Sequence, residues 1–155
     1  KTLVIDCDLR RPNINSLLQL GQKEGLSSLL TGHSQINDML IPTQHTNLDV
    51  IVSGRIPPNP AELLSSDAMR ELVERLKEYY DYVFLDAPPI GVVADSMILS
   101  RYADGVVLVV RENVTDKKML QVAIGQLQFA KAKILGFLYN DAAVEGKGYS
   151  KYYGN

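Results

Sequence analysis

Five short apolar runs, each closed by a polar residue, constrain this chain more than any other feature. They are Thr2-Leu3-Val4-Ile5 ending at Asp6, Leu48-Asp49-Val50-Ile51-Val52 ending at Ser53-Gly54, and Tyr82-Val83-Phe84-Leu85 ending at Asp86. Val106-Val107-Leu108-Val109-Val110 ends at Arg111, and Ile134-Leu135-Gly136-Phe137-Leu138-Tyr139 ends at Asn140. Several have no polar face, the pattern of strands covered on both sides. Segments of helical period fall between them. From Asp67 to Tyr80, behind the N-cap candidate Ser66, residues Met69, Leu72, Val73, Leu76 and Tyr80 keep an i, i+3, i+4, i+7 spacing. A second helix is expected from Asp116 to Ala132, capped by Thr115, with Leu120, Ala123, Ile124 and Leu127 inward. Shorter helices are expected at Gly25 to Leu30, Ile36 to Leu40 and Ser96 to Tyr102. This alternation predicts an α/β fold: a doubly wound, mostly parallel sheet flanked by helices.

The 155 residues suit one domain, with an ordinary 46% hydrophobic and 22% charged composition. A formal net charge of −2 gives no electrostatic case for nucleic acid or an anionic membrane. No run approaches the roughly 20 apolar residues that span a bilayer, so no direct membrane insertion is expected, and no signal-peptide pattern is visible. The lone Cys7 excludes an intrachain disulfide and reads as a buried, inert thiol. His33 and His45 stand in polar loop contexts and read as exposed.

Two clusters could carry chemistry. The first run delivers Asp6 and Asp8 to the carboxyl end of a strand, with side chains on the same side of the pleat. Such a pair suits a hard cation or a hydroxyl awaiting deprotonation. It also suits a plainer role, capping turns or pairing with Arg10 and Arg11. The third run delivers Asp86, followed by Ala87-Pro88-Pro89, whose prolines stiffen the loop. A strand-end aspartate of this kind holds magnesium in P-loop phosphotransferases. Asp6, Asp8 and Asp86 are expected at one edge of one sheet.

Taken together, these motifs resemble those of the bacterial protein-tyrosine kinases of capsular and exopolysaccharide biosynthesis, deviant-Walker ATPases of the P-loop NTPase-like class. Val4-Ile5-Asp6-Cys7-Asp8-Leu9-Arg10 resembles their Walker A′ motif, and Phe84-Leu85-Asp86-Ala87-Pro88-Pro89 their Walker B motif. Gly25-Leu26-Ser27-Ser28-Leu29-Leu30-Thr31-Gly32 and the Gly54 to Leu64 segment, with Pro57-Pro58-Asn59-Pro60, match the family too. The likeness covers nearly the whole chain. It implies ATP and Mg2+ as cofactors, Asp6 as the carboxylate that activates the tyrosine hydroxyl, and Asp8 and Asp86 as the magnesium ligands. Asn140 would sit near the adenine, or else it simply ends a strand. The C-terminal Tyr149, Tyr152 and Tyr153 resemble the family's autophosphorylation cluster, inserted into a neighbouring subunit's site. The resemblance also implies a transmembrane polysaccharide co-polymerase or adaptor as partner, self-association into a ring, and a cytoplasmic location at the inner face of the cell membrane.

One motif is missing. No Gly-x-x-x-x-Gly-Lys-Ser/Thr occurs in the 155 residues, and Gly146-Lys147 is followed by Gly148. That loop supplies the backbone N–H groups, the lysine and the hydroxyl that hold phosphates and magnesium. The first run begins at residue 2 and Lys1 is not an initiator methionine. The expectation is therefore a partial kinase domain, residues 1–145, lacking the first strand, the P-loop and the first helix and inactive by itself. A flexible tail is expected at 146–155. Two alternatives stay open: a partitioning or division-site ATPase switch, which shares the aspartate motifs, and a non-catalytic regulatory remnant.

Overall fold

The computed structural model describes residues 1–142. The tail and its tyrosines Tyr149, Tyr152 and Tyr153 lie outside the described residues. The described residues fall into two compact units that divide after Asp104.

The first unit is built on a four-stranded sheet of order β2-β3-β1-β4. Strand β1 (Thr2–Asp6) pairs in parallel with β3 (Leu48–Ile51) on one side and β4 (Tyr82–Asp86) on the other. The short β2 (Ile41–Pro42) pairs antiparallel with β3 at the sheet edge. Its two residues are too few to show a period, and Pro42 reads as a loop residue, so the sequence pattern does not disclose it.

The helices of this unit are α1 (Ile14–Leu17), α2 (Leu26–Leu30), α3 (Ile36–Met39), α4 (Pro60–Leu64), α5 (Asp67–Lys77) and α6 (Asp95–Leu99). The expected amphipathic helix is α5. Ser66 Oγ accepts the Met69 N–H at 3.2 Å, and Met69, Leu72, Val73 and Leu76 are buried. Those side chains join Leu3, Ile5, Leu9, Leu26, Ile51 and Leu64 in one core. Fully burying an aliphatic side chain of this kind contributes about 1.5–3 kcal/mol. Pro60 opens α4 at its first turn, where its missing N–H costs nothing.

The second unit pairs β5 (Val106–Arg111) in parallel with β6 (Ile134–Asn140), and α7 (Lys117–Phe129) connects them. Ala123 and Leu127 are buried, with Leu120 and Ile124 half-buried beside them, so the inward face is the one expected. The cap is not. Asp116, not Thr115, caps α7, accepting the Lys118 N–H at 2.7 Å and the Met119 N–H at 3.2 Å. Thr115 Oγ1 accepts the Arg111 N–H instead, closing the turn after β5.

Coverage of the strands also differs from expectation. β1 is largely buried, but β4, β5 and β6 each keep an exposed set of side chains, including Phe84, Val109 and Phe137. Their apolar composition exceeds what the described elements cover.

Candidate active site

The parallel pairing of β1 and β4 sets Asp6 in register with Asp86 at the carboxyl end of the sheet. Cys7 N–H extends that ladder by one bond, to the Asp86 carbonyl at 2.8 Å. Asp8 follows two residues after Asp6, so the sheet brings all three carboxylates to one edge.

Their environments differ. Asp6 has no solvent-accessible surface. Its Oδ1 accepts the Asp8 N–H and its Oδ2 the Ile14 N–H, each at 3.2 Å. Burial raises its proton affinity, the Ile14 N–H opposes this, and the nearby Asp86 charge adds to it. Asp8 uses Oδ1 to accept the Arg10 N–H at 3.1 Å and the Arg11 N–H at 2.9 Å, which leaves Oδ2 outside the turn. The turn-capping role that the sequence left open is therefore real for both residues, in addition to any chemistry. The pKa of Asp86 is raised, first by desolvation and then by the charge of Asp8. Cys7 is fully buried, and burial with the Asp6 and Asp86 charges pushes its thiol well up, which suits an inert residue. His33 and His45 are exposed.

Among the described residues, no three His, Cys, Asp or Glu side chains converge enough to hold a metal ion by themselves. The donor set still fits magnesium, which takes one or two carboxylates and completes its shell with water and phosphate oxygens. A divalent cation at Asp8 and Asp86 would relieve the repulsion that raises Asp86.

A residue the sequence reading passed over also belongs to this edge. Asp95, in the first turn of α6, is fully buried and receives Arg10 Nε at 2.8 Å and Nη2 at 3.1 Å. Beside it, Ser96 Oγ donates to the Pro88 carbonyl in the loop after β4. Nothing in local sequence marks Asp95; its partner stands 85 positions away.

The two glycine-led segments singled out in the sequence meet where the chain leaves β3. Leu26 N–H donates to the Val52 carbonyl at 2.8 Å and Ser27 N–H to the Ser53 carbonyl at 2.9 Å. The approach is so close that a Cβ on Gly25 would lie 2.1 Å from the Val52 oxygen. Next to this contact lies an open cavity of about 490 Å³, lined by Glu24, Ser28, Thr31, His33, Arg55 and Ile56 among others. Arg55 pairs with Glu24 at 3.0 Å across it.

Asn140 ends β6 in the second unit, in register with Arg111, and its carbonyl accepts the Glu112 N–H at 3.0 Å. Among the described residues, no helix is long and apolar enough to cross a membrane.

A mostly parallel α/β sheet with strand-end carboxylates at its carboxyl edge is an architecture that P-loop NTPase-like proteins share. Comparison with known proteins narrows this. A family model described as an AAA domain matches residues 1–133. The tyrosine-protein kinase YwqD of Bacillus subtilis (strain 168) is 41% identical over 154 residues, 99% of this chain and 65% of the relative. The crystal structure of the VpsO kinase domain is 35% identical with a TM-score of 0.87, covering 92% of this chain and 71% of that one. The chain therefore belongs to the bacterial tyrosine-protein kinases, within the AAA domain family. The septum site-determining protein MinD of Pyrococcus horikoshii OT3, complexed with Mg-ADP, shares the fold at a TM-score of 0.69 and 24% identity, over 88% of this chain and 56% of that one.

Proposed function

We propose that this chain supplies the acidic half of the active site of a bacterial tyrosine kinase, which moves the γ-phosphate of ATP to tyrosine hydroxyls. The observation that carries the reading is the Asp6–Asp86 register at the carboxyl edge of the sheet, with Asp8 two residues on. Asp6 accepts the tyrosine proton. Its raised proton affinity moves it toward the range where a base works near neutral pH. The tyrosine oxygen bonds to the γ-phosphorus as the bridge to the β-phosphate breaks and ADP departs. Each carboxylate oxygen has two acceptor sites, so Asp6 keeps capacity beyond its two N–H bonds. Since Asp6 has no accessible surface here, this reading requires the chain around it to open before the acceptor can reach it.

Asp8 and Asp86 would hold magnesium, which when bound neutralises phosphate charge during transfer. Asp8 has Oδ2 outside its turn for this purpose. Asn140 would contact the adenine. The acceptors would be Tyr149, Tyr152 and Tyr153 of a neighbouring subunit. The glycines at 146, 148 and 154 suit a segment that must extend. Residues 146–155 form the substrate tail in this reading, and 1–145 the partial kinase domain. Each phosphate adds about −1.5 to −2 charge and would be expelled from the acidic edge. The family resemblance further supports a role in capsular or exopolysaccharide biosynthesis, a transmembrane adaptor as activator, ring-like self-association, and a cytoplasmic place at the inner membrane face.

Mixing two proteins, each with a Gly-x-x-x-x-Gly-Lys-Ser/Thr loop restored ahead of residue 1, tests this reading. One carries Asp6→Asn with its tyrosines intact; the other is active but has Tyr149, Tyr152 and Tyr153 changed to Phe. Phosphate is expected on the first at a rate rising with the second. No label there, while the unaltered protein labels itself, would refute transfer between subunits. ATP hydrolysis with no phosphotyrosine in any mixture would favour the ATPase-switch alternative.

A further inference from the structure

The pair between Arg10 and the buried Asp95 is an expensive arrangement for stability alone. A carboxylate without accessible surface must be compensated, and apolar residues of the same volume would serve the core as well. The Asp95 side chain is fully buried, whereas that of Arg10 is 40% exposed. The contact is a two-pronged fork, Nε to Oδ2 at 2.8 Å and Nη2 to Oδ1 at 3.1 Å, so it fixes direction as well as distance.

What the fork connects gives it meaning. At one end, the Arg10 N–H donates to Asp8 Oδ1, in the loop that follows β1. At the other, Asp95 adjoins Ser96, whose hydroxyl donates to the Pro88 carbonyl, two residues past Asp86 in the loop that follows β4. The path Asp8–Arg10–Asp95–Ser96–Pro88–Asp86 therefore closes a loop around the two carboxylates. Beyond the strands themselves, they are otherwise joined by the Cys7 N–H bond to the Asp86 carbonyl.

We propose that Arg10 and Asp95 are positioning residues that set the separation and orientation of Asp8 and Asp86 for one divalent cation. The proposal rests on the kinase reading only for the identity of the ion's role, and the cation site can be probed without catalysis. A lysine at position 10 keeps the charge but not the fork. It retains part of the function, and glutamine retains less.

The test is direct titration of the full chain with Mn2+ as the probe ion, following free Mn2+ by electron paramagnetic resonance, with thermal unfolding of each variant in parallel. Unaltered protein is expected to bind one Mn2+ saturably, and Asp86→Asn to abolish that binding. Arg10→Gln and Asp95→Asn are expected to weaken it by roughly 10- to 100-fold, the usual cost of losing a partner that orients a ligand. Arg10→Lys is expected to fall between them and the unaltered protein. The double variant Arg10→Gln/Asp95→Asn is expected to be no weaker than the worse single one, because both changes cut the same strut. Unchanged Mn2+ affinity in Arg10→Gln or Arg10→Lys, with unfolding showing the variant intact, would overturn the proposal. So would additive losses in the double variant, or no saturable Mn2+ site in the unaltered protein. If Mn2+ binds and responds as expected while the protein with a Gly-x-x-x-x-Gly-Lys-Ser/Thr loop restored forms no phosphotyrosine, the positioning role stands and the kinase reading falls.

Discussion

Replacing Asp86 by Asn should stabilise the fold at neutral pH while removing a residue that the proposed chemistry needs. Asp86 is in register with Asp6 on the neighbouring strand, and its carboxyl is raised by desolvation and by the charge of Asp8. Two unit charges at the ~4.8 Å strand spacing repel by about 3.5 kcal/mol at an effective dielectric constant of about 20. Asp86 is exposed, so solvent and salt screening reduce this to about 1 kcal/mol. For a chain of this length that corresponds to a rise in Tm of about 2–4 °C. The sign follows from linkage. The folded pKa of Asp86 lies above its ordinary value of 3.8, so the native state holds the proton more tightly than the unfolded state does. The stability this confers is complete below the ordinary value and is lost as pH rises through the folded value. Asn escapes that loss. The gap between variant and unaltered protein should therefore open above pH 4 and close below it. Thermal unfolding by circular dichroism from pH 3 to 8 measures both curves. A variant less stable at pH 7, or a gain that does not depend on pH, would refute the argument.

Gly25→Ala should destabilise by about 3 kcal/mol, because its Cβ would meet the Val52 carbonyl and disturb the two N–H bonds that seat α2. Gly32→Ala, with open space around it but a φ of +73°, should cost about 1 kcal/mol; equal shifts in urea midpoint for the two would contradict the packing account. The 155-residue chain is expected to bind Mg-ATP more weakly than 100 μM, since it contains no Gly-x-x-x-x-Gly-Lys-Ser/Thr loop; micromolar affinity by calorimetry would show that the acidic edge holds nucleotide without it.

The sequence by itself determined the elements whose pattern is local. Strands β1, β3, β4, β5 and β6 stand where apolar runs stand, and α5 follows the spacing of Met69, Leu72, Val73 and Leu76. It also marked Asp6, Asp8 and Asp86, because each ends or follows an apolar run and because the motifs around them match a family. Some short elements escaped, although α2, α3 and α6 stand where short helices were expected. β2 has two residues, and α1 has four residues and no buried side chain, so neither carries a readable period. The Pro57-Pro58-Asn59-Pro60 segment hid α4, although proline at its first turn was a usable signal. Only tertiary structure decided which strands adjoin, and so that Asp6 faces Asp86 in register. It alone showed that Asp6 is buried, with its carboxylate bonded to the Asp8 and Ile14 N–H groups, and that Arg10 pairs with Asp95. The physical reason is common to these cases. Periodicity and capping arise from neighbours a few residues apart, whereas pairing, burial and charge coupling depend on groups that the chain brings together only after crossing the sheet.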